Sequence, residues 1–396
     1  MASNQSKIER VIVIVLDSVG CGDAPDAKDY GDEGTNTIGN IAKVIGGINL
    51  PNMQKMGLGN LTDIQGVPPT DNAIGAYGRL TEISVGKDTT TGHWELGGIH
   101  LEKSFPTYPD GFPADVIAEF EERIQRKTLG NYPASGTEII KVLGEEHLKT
   151  GYPIVYTSGD SVFQIAAHVE VIPLDELYHF CELARALLIN EHTVGRVIAR
   201  PFTGKLGNFV RTEDRKDYSV LPPSDTILDA VSKAGLDMIG VGKIEDIFAE
   251  QGLTESNHTG NNMAGIEAII DFCQQDNHGL IFANLVDFDS LYGHRNNPQG
   301  YADALMAFDK RLPEIQAVLR PSDVLMLTAD HGNDPTTPGT DHSRERVPLL
   351  IMGEPIKQNT NFGTRPRFSD LAATVAESLK LTWRGAGESF WAEIAK

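Results

Sequence analysis

Acidic residues and histidines recur in this sequence where an α/β sheet presents its chemistry. Asp17 closes the apolar run VIVIVL (11–16), Asp289 closes GLIFANLVDFD (279–289), and Asp330-His331 falls near the end of SDVLMLTADHG (322–332). In open α/β sheets the carboxyl ends of the strands line the ligand crevice, so residues distant in sequence converge there. Three carboxylates gathered without a cation would repel one another and raise one another's pKa. Interleaved imidazoles, His331 with His294 and His342 on the loops that follow, point to the cation. Mixed Asp/His ligation suits Zn²⁺, Mn²⁺ or Fe²⁺ better than Ca²⁺ or Mg²⁺, which prefer oxygen shells. Three Asp and three His fit two divalent ions, with positions left for a substrate oxygen. Four positive charges against three negative ones leave a net positive centre. Asp287 competes with Asp289, because period two puts both on one side of a strand. Spacing does not choose between them.

A two-metal site needs a nucleophile if it is to do more than bind. GKDTTTGHWELGG (86–98) is rich in Thr and punctuated by Gly. A Thr hydroxyl is inert at its ordinary pKa, but metal coordination makes it alkoxide-like. Composition leaves open whether Thr89, Thr90 or Thr91 serves, and whether the segment is a plain capping loop.

The elements that must hold these residues alternate. The strands at 11–16, 279–289 and 322–332 are joined by LDMIGVG (236–242) and RVPLLIMG (346–353), apolar on both faces as buried parallel strands are. Helical spacing appears in SDTILDAVSKAG (224–235), with Ser224 as N-cap, in MAGIEAIIDFCQQ (263–275), in YADALMAFDKRLPEI (301–315) and in SDLAATVAESL (369–379). Strand and helix in alternation mean an α/β core with a mainly parallel central sheet. Between Pro-rich joints, residues 104–220 differ. The segments 112–124 and 136–148 read as amphipathic helices and 173–188 as another helix, beside the short strands PIVYT and VFQIAAH. We expect an inserted α+β domain there, within a core of 1–103 and 221–396.

With 396 residues and 40% apolar content the chain can bury a sizeable core. Its 34 basic residues against 55 acidic ones give a formal net charge of −21, which argues against nucleic acid and anionic membranes as partners. An anionic substrate must then be drawn to a local positive centre. The three cysteines, Cys21, Cys181 and Cys273, lack metal or disulfide spacing and read as reduced thiols. No run approaches a membrane span and Met1–Arg10 is polar, so the expected location is cytoplasmic.

Taken together, VIVIVLDSVGCGDAPDA, GKDTTTGHWE, NLVDFDSLYGHR and TADHGNDPTTPGTDHSRERVP resemble the phosphopentomutases of the alkaline phosphatase superfamily, over essentially the whole chain. The resemblance implies an alkaline-phosphatase-like core with a mobile cap and two Mn²⁺ per chain. Asp289, His294 and His342 would hold one ion, and Asp17, Asp330 and His331 the other. Thr89 would be the phosphorylated residue. Asp160, Arg196 and Arg211 in the cap, with Lys243 in the core, would bind substrate. The implied reaction interconverts the 1- and 5-phosphates of ribose or 2-deoxyribose through a 1,5-bisphosphate, after a sugar bisphosphate such as glucose 1,6-bisphosphate primes Thr89. Pentose phosphates are then the small-molecule partners. A related two-metal enzyme, either a phosphoglycerate mutase or a phosphatase, is the alternative. A metal-binding protein without activity fits less well, because all seven positions are filled.

Overall fold

The computed structural model describes residues 8–396. The chain separates into two compact units: the described part of Met1–Ser104 with Pro222–Lys396, and Phe105–Leu221, which interrupts it.

The first unit is built on an eight-stranded sheet. Its order is Glu255–Asn257, Asp237–Val241, Gly279–Leu285, Arg10–Leu16, Asp323–Thr328, Val347–Met352, Ala76–Leu80 and Thr360–Arg365. All neighbours pair in parallel except Val347–Met352, which runs against both of its partners. The sheet is therefore mainly parallel. Arg10–Leu16, Gly279–Leu285 and Asp323–Thr328 are buried along their whole length, as strands covered on both faces must be. Register places the chemistry. Val15 pairs with Asn284 on one side and Thr328 on the other, so two residues further on Asp17 and Asp330 leave the same edge together.

The helices follow the apolar spacing with shifted ends. Asn262–Gln274 starts from Asn261, whose side chain accepts from Ala264 N. Pro298–Ala317 is longer than its pattern and carries Pro313 inside. The helix expected to start at Ser224 runs over Ile227–Lys233, because Thr226 and Asp229 form a reciprocal capping box there. A second correction bears on the site. The strand read through Asp289 stops at Leu285, and Phe288–Tyr292 is a π-helical turn. Asp287 and Asp289 thus do not share a strand face.

In the second unit, helices Ala114–Ile124, Gly136–Thr150 and Leu174–Leu187 accompany a six-stranded sheet. Its fully buried strand Val162–His168 pairs in parallel with Arg196–Lys205, and Phe120, Phe163 and Phe180 are part of the core beside it.

Candidate active site

Asp17, Asp330 and His331 offer ligand atoms that all lie within 4.8 Å of one another, and so do Asp289, His331 and His342. His331 is common to both groups. His294 stands beside the second group, its Nε2 3.0 Å from Asp289 Oδ2 and its ring centroid 4.7 Å from that of His342. All six residues come together at one edge of the sheet. The π-helical turn separates the two acids between which spacing left the choice open. It carries Asp289 to the histidines, while Asp287 exchanges hydrogen bonds with Asn262 at the start of a helix.

The donor set fits divalent cations. His331 Nδ1 is 3.0 Å from Gly332 O and His294 Nδ1 is 2.7 Å from Thr340 O. A proton on each Nδ1 donates to that carbonyl, so Nε2, which faces the carboxylates, is the nitrogen where a cation could take the place of a proton. Asp17 Oδ1, Asp330 Oδ2 and His342 Nε2 are buried without a hydrogen-bond partner, the condition a cation relieves. The other carboxylate oxygens are steered: Asn284 Nδ2 donates to Asp17 Oδ2 (3.0 Å), Ser18 N to Asp330 Oδ1 (3.0 Å) and Asn333 Nδ2 to Asp289 Oδ1 (2.8 Å).

Charge is tightly balanced here. Burial, with Asp330 and Asp289 beside it, pushes the Asp17 carboxyl up to about 6. Burial works the same way on Asp289, but His342, His294 and His331 outweigh it and hold that group well below the usual range. The hydrogen bond to Asp289 raises His294 to about 9. Burial would lower His331, yet Asp330, Asp17 and Asp289 raise it well above its ordinary value. Lys243, which precedes the short helix Ile244–Ile247, adds a positive charge that lowers Asp17.

The threonine-rich segment is a helix, Thr89–Leu96. Asp88 caps it, accepting from Thr90 N and Thr91 N. The buried Thr91 hydroxyl is spent on Asp88 Oδ2 at 2.6 Å. Thr89, at the first helical position, has its Oγ1 3.3 Å from His331 Nε2. Thr90 N and Thr91 N are taken up by the Asp88 cap, so what the helix end offers a negative charge beside Thr89 is its dipole. His93, one turn on, is fully buried. Its Nδ1 is 2.9 Å from Thr89 O and 3.1 Å from Asp330 Oδ2. His93, Asn284 and Asn333 were not singled out by sequence reasoning. The signal for Asn284 was there, an amide inside an otherwise apolar strand.

The remaining candidates lie in the second unit. Asp160, Arg196 and Arg211 line a cavity of about 310 Å³ together with Arg200 and Arg215. Arg196 and Arg200 share a strand face and both reach this cavity. Asp160 is 3.8 Å from Arg196, Asp217 pairs with Arg196 and Arg215, and Arg200 Nε donates to Gln164. Four guanidiniums against one lining carboxylate, with Asp217 behind two of them, leave the cavity net positive.

The family model described as Metalloenzyme superfamily matches residues 9–382. A protein of Caldanaerobacter subterraneus subsp. tengcongensis named phosphopentomutase is 60% identical over 98% of both chains. One of Carboxydothermus hydrogenoformans with the same name is 59% identical over 98% of this chain and all of its own. The chain belongs to the phosphopentomutase family. As a phosphopentomutase-family member it is an isomerase of the mutase type, within a superfamily of metal-dependent enzymes. A Leishmania mexicana phosphoglycerate mutase structure shares the fold, with a TM-score of 0.50, 12% identity and 98% of each chain covered. No helix among the described residues is long and apolar enough to cross a membrane.

Proposed function

We propose that this member of the phosphopentomutase family works through a phosphorylated Thr89 and two Mn²⁺ ions, and that it interconverts the 1- and 5-phosphates of ribose or 2-deoxyribose. The observation that carries the reading is the 3.3 Å approach of Thr89 Oγ1 to His331, the imidazole common to both candidate ligand groups. Asp289, His294 and His342 would hold one ion, and Asp17, Asp330 and His331 the other. When bound, the ions supply the positive charge that steadies the transferring phosphoryl group and the oxygens on either side of it.

A sugar bisphosphate such as glucose 1,6-bisphosphate loads Thr89 in this account. Phospho-Thr89 then passes its phosphoryl group to the C1 hydroxyl of the 5-phosphate. The Thr89 Oγ–P bond breaks as the sugar O–P bond forms, and the hydroxyl proton is lost from the sugar oxygen as Thr89 regains one. The 1,5-bisphosphate returns its 5-phosphoryl group to Thr89 and leaves as the 1-phosphate. The helix N-terminus that begins at Thr89 receives the charge carried there. Asp160, Arg196 and Arg211 in the interrupting unit, and Lys243 in the other, are the proposed substrate-binding residues, and the interrupting unit is the cap. The positive cavity in that unit suits a phosphate group. Pentose phosphates are the partners, and the cytoplasm is the place.

The test is incubation with ribose 5-phosphate, Mn²⁺ and glucose 1,6-bisphosphate, followed by phosphorus NMR. Ribose 1-phosphate is the expected product. Thr89→Ala should give neither product nor phosphoenzyme by intact mass. Turnover by that variant, or phosphate on Thr90 or Thr91 of the wild type, would remove Thr89 from its role. Inorganic phosphate as the main product would make the enzyme a phosphatase.

A further inference from the structure

The segment that delivers Thr89, residues 82–88, has little regular structure of its own, yet its backbone is bonded on both sides. On one side the Glu95 carboxylate accepts from Ile83 N and Ser84 N. On the other stands Arg344, two residues after His342, with its side chain 1% exposed. Its Nη1 donates to Ser84 O (2.8 Å) and Gly86 O (2.6 Å), and its Nη2 to Glu82 O (2.9 Å). The same guanidinium pairs with the buried Glu82 carboxylate at 2.7 Å and with Asp26 at 3.0 Å, and lies 4.8 Å over the Tyr30 ring.

An outer tie joins the same two loops. Asp32 Oδ2 accepts from Arg344 N (2.8 Å) and from Lys87 Nζ (3.0 Å), and Lys87 also pairs with Asp341 at 3.3 Å. Lys87 is two residues before Thr89, and Asp341 is next to His342. The loop bearing the nucleophile and the loop bearing a candidate metal ligand are thus cross-linked at two levels.

We infer that Arg344 is a positioning residue for phosphoryl transfer, with Lys87 as its outer partner: the pair sets the reach of Thr89 toward the ligand groups without touching substrate. The inference rests on Thr89 as the phosphorylated residue. A buried cation needs only the Glu82 and Asp26 carboxylates to be neutralised. The three further bonds, all to carbonyls of one loop, are geometry that a fork of five N–H donors can supply and a lysine cannot. Small displacements of a reacting atom are costly. Misplacement by about 1 Å can lower a rate on the order of a hundredfold.

Arg344→Lys keeps a charge beside Glu82 and so avoids stranding a buried carboxylate. With both proteins loaded with Mn²⁺, we expect kcat and the rate of Thr89 phosphorylation by glucose 1,6-bisphosphate to fall together by about tenfold or more. KM for ribose 5-phosphate and Mn²⁺ content per chain should stay within about twofold, because uniform binding is untouched. Lys87→Met, at a partly exposed site, should shift the same two rates in the same direction by a smaller factor. Arg344→Lys with wild-type kcat and phosphorylation rate, or with its loss accounted for by missing Mn²⁺, would overturn the inference. If that variant fails to fold, an unchanged phosphorylation rate in Lys87→Met overturns it and a slowed one supports it. Wild-type enzyme that carries its phosphate elsewhere would instead sink the Thr89 reading, a separate result.

Discussion

Each carboxylate of the site is held by one oxygen and left free, or open to a histidine, at the other. Asn284 on Asp17 and Asn333 on Asp289 do this with side-chain amides, and Ser18 on Asp330 with a backbone N–H. Outer partners of this kind commonly tune metal affinity by about ten- to a hundredfold. Asn284→Ala should therefore weaken Mn²⁺ binding within that range, measured by calorimetry on the metal-free protein, while the fold survives. Unchanged affinity would mean that Asp17 does not depend on its amide partner. Asp17 and Asp330 were legible in the sequence because they follow long apolar strands. Asp289 was legible by type but not by position, because the strand gives way to a π-helical turn before reaching it. Of the amides, Asn284 stood out by type inside an apolar strand, but its purpose shows only once the register brings Asp17 alongside, and Asn333, on a loop, gave no signal.

At the scale of elements, the helix Thr89–Leu96 decides where Thr89, the proposed nucleophile, points. Its sequence opens on three β-branched residues, which are indifferent helix formers, and this is why it read as a loop. The Asp88 cap and the burial of Gly92 through Leu96 make it a helix. Gly92 packs closely against the segment that follows Asp323–Thr328: a Cβ there would lie 2.0 Å from Asp330 O. Gly92→Ala should push the helix away from Asp330-His331. We expect kcat to fall by about tenfold or more, with Mn²⁺ content also reduced, as steady-state rates and metal analysis would show. Normal activity in that variant would mean that the contact is slack. By contrast the long helices at 262–274 and 298–317 were plain in the sequence, because their periodic apolar faces need no partner to be recognised.

For the whole molecule, the proposed function reconciles a formal charge of −21 with an anionic substrate through local positive charge. The candidate ligand edge of one unit, once it held cations, and the arginine-lined cavity of the other would supply it. The alternation of strands and helices gave the α/β core and its mainly parallel sheet. It did not reveal Ala76–Leu80 or Thr360–Arg365, short strands at one side of the sheet without a continuous apolar run. Nor did it show that Val347–Met352 runs opposite to its neighbours, since a buried run looks alike in either direction. The proposed function puts two ions at the ligand edge. Crystals grown with Mn²⁺ and measured near the manganese absorption edge would reveal them. Two anomalous peaks are expected in each chain, one among Asp17, Asp330 and His331 and the other among Asp289, His294 and His342. A single peak, or none at that edge of the sheet, would contradict the proposal.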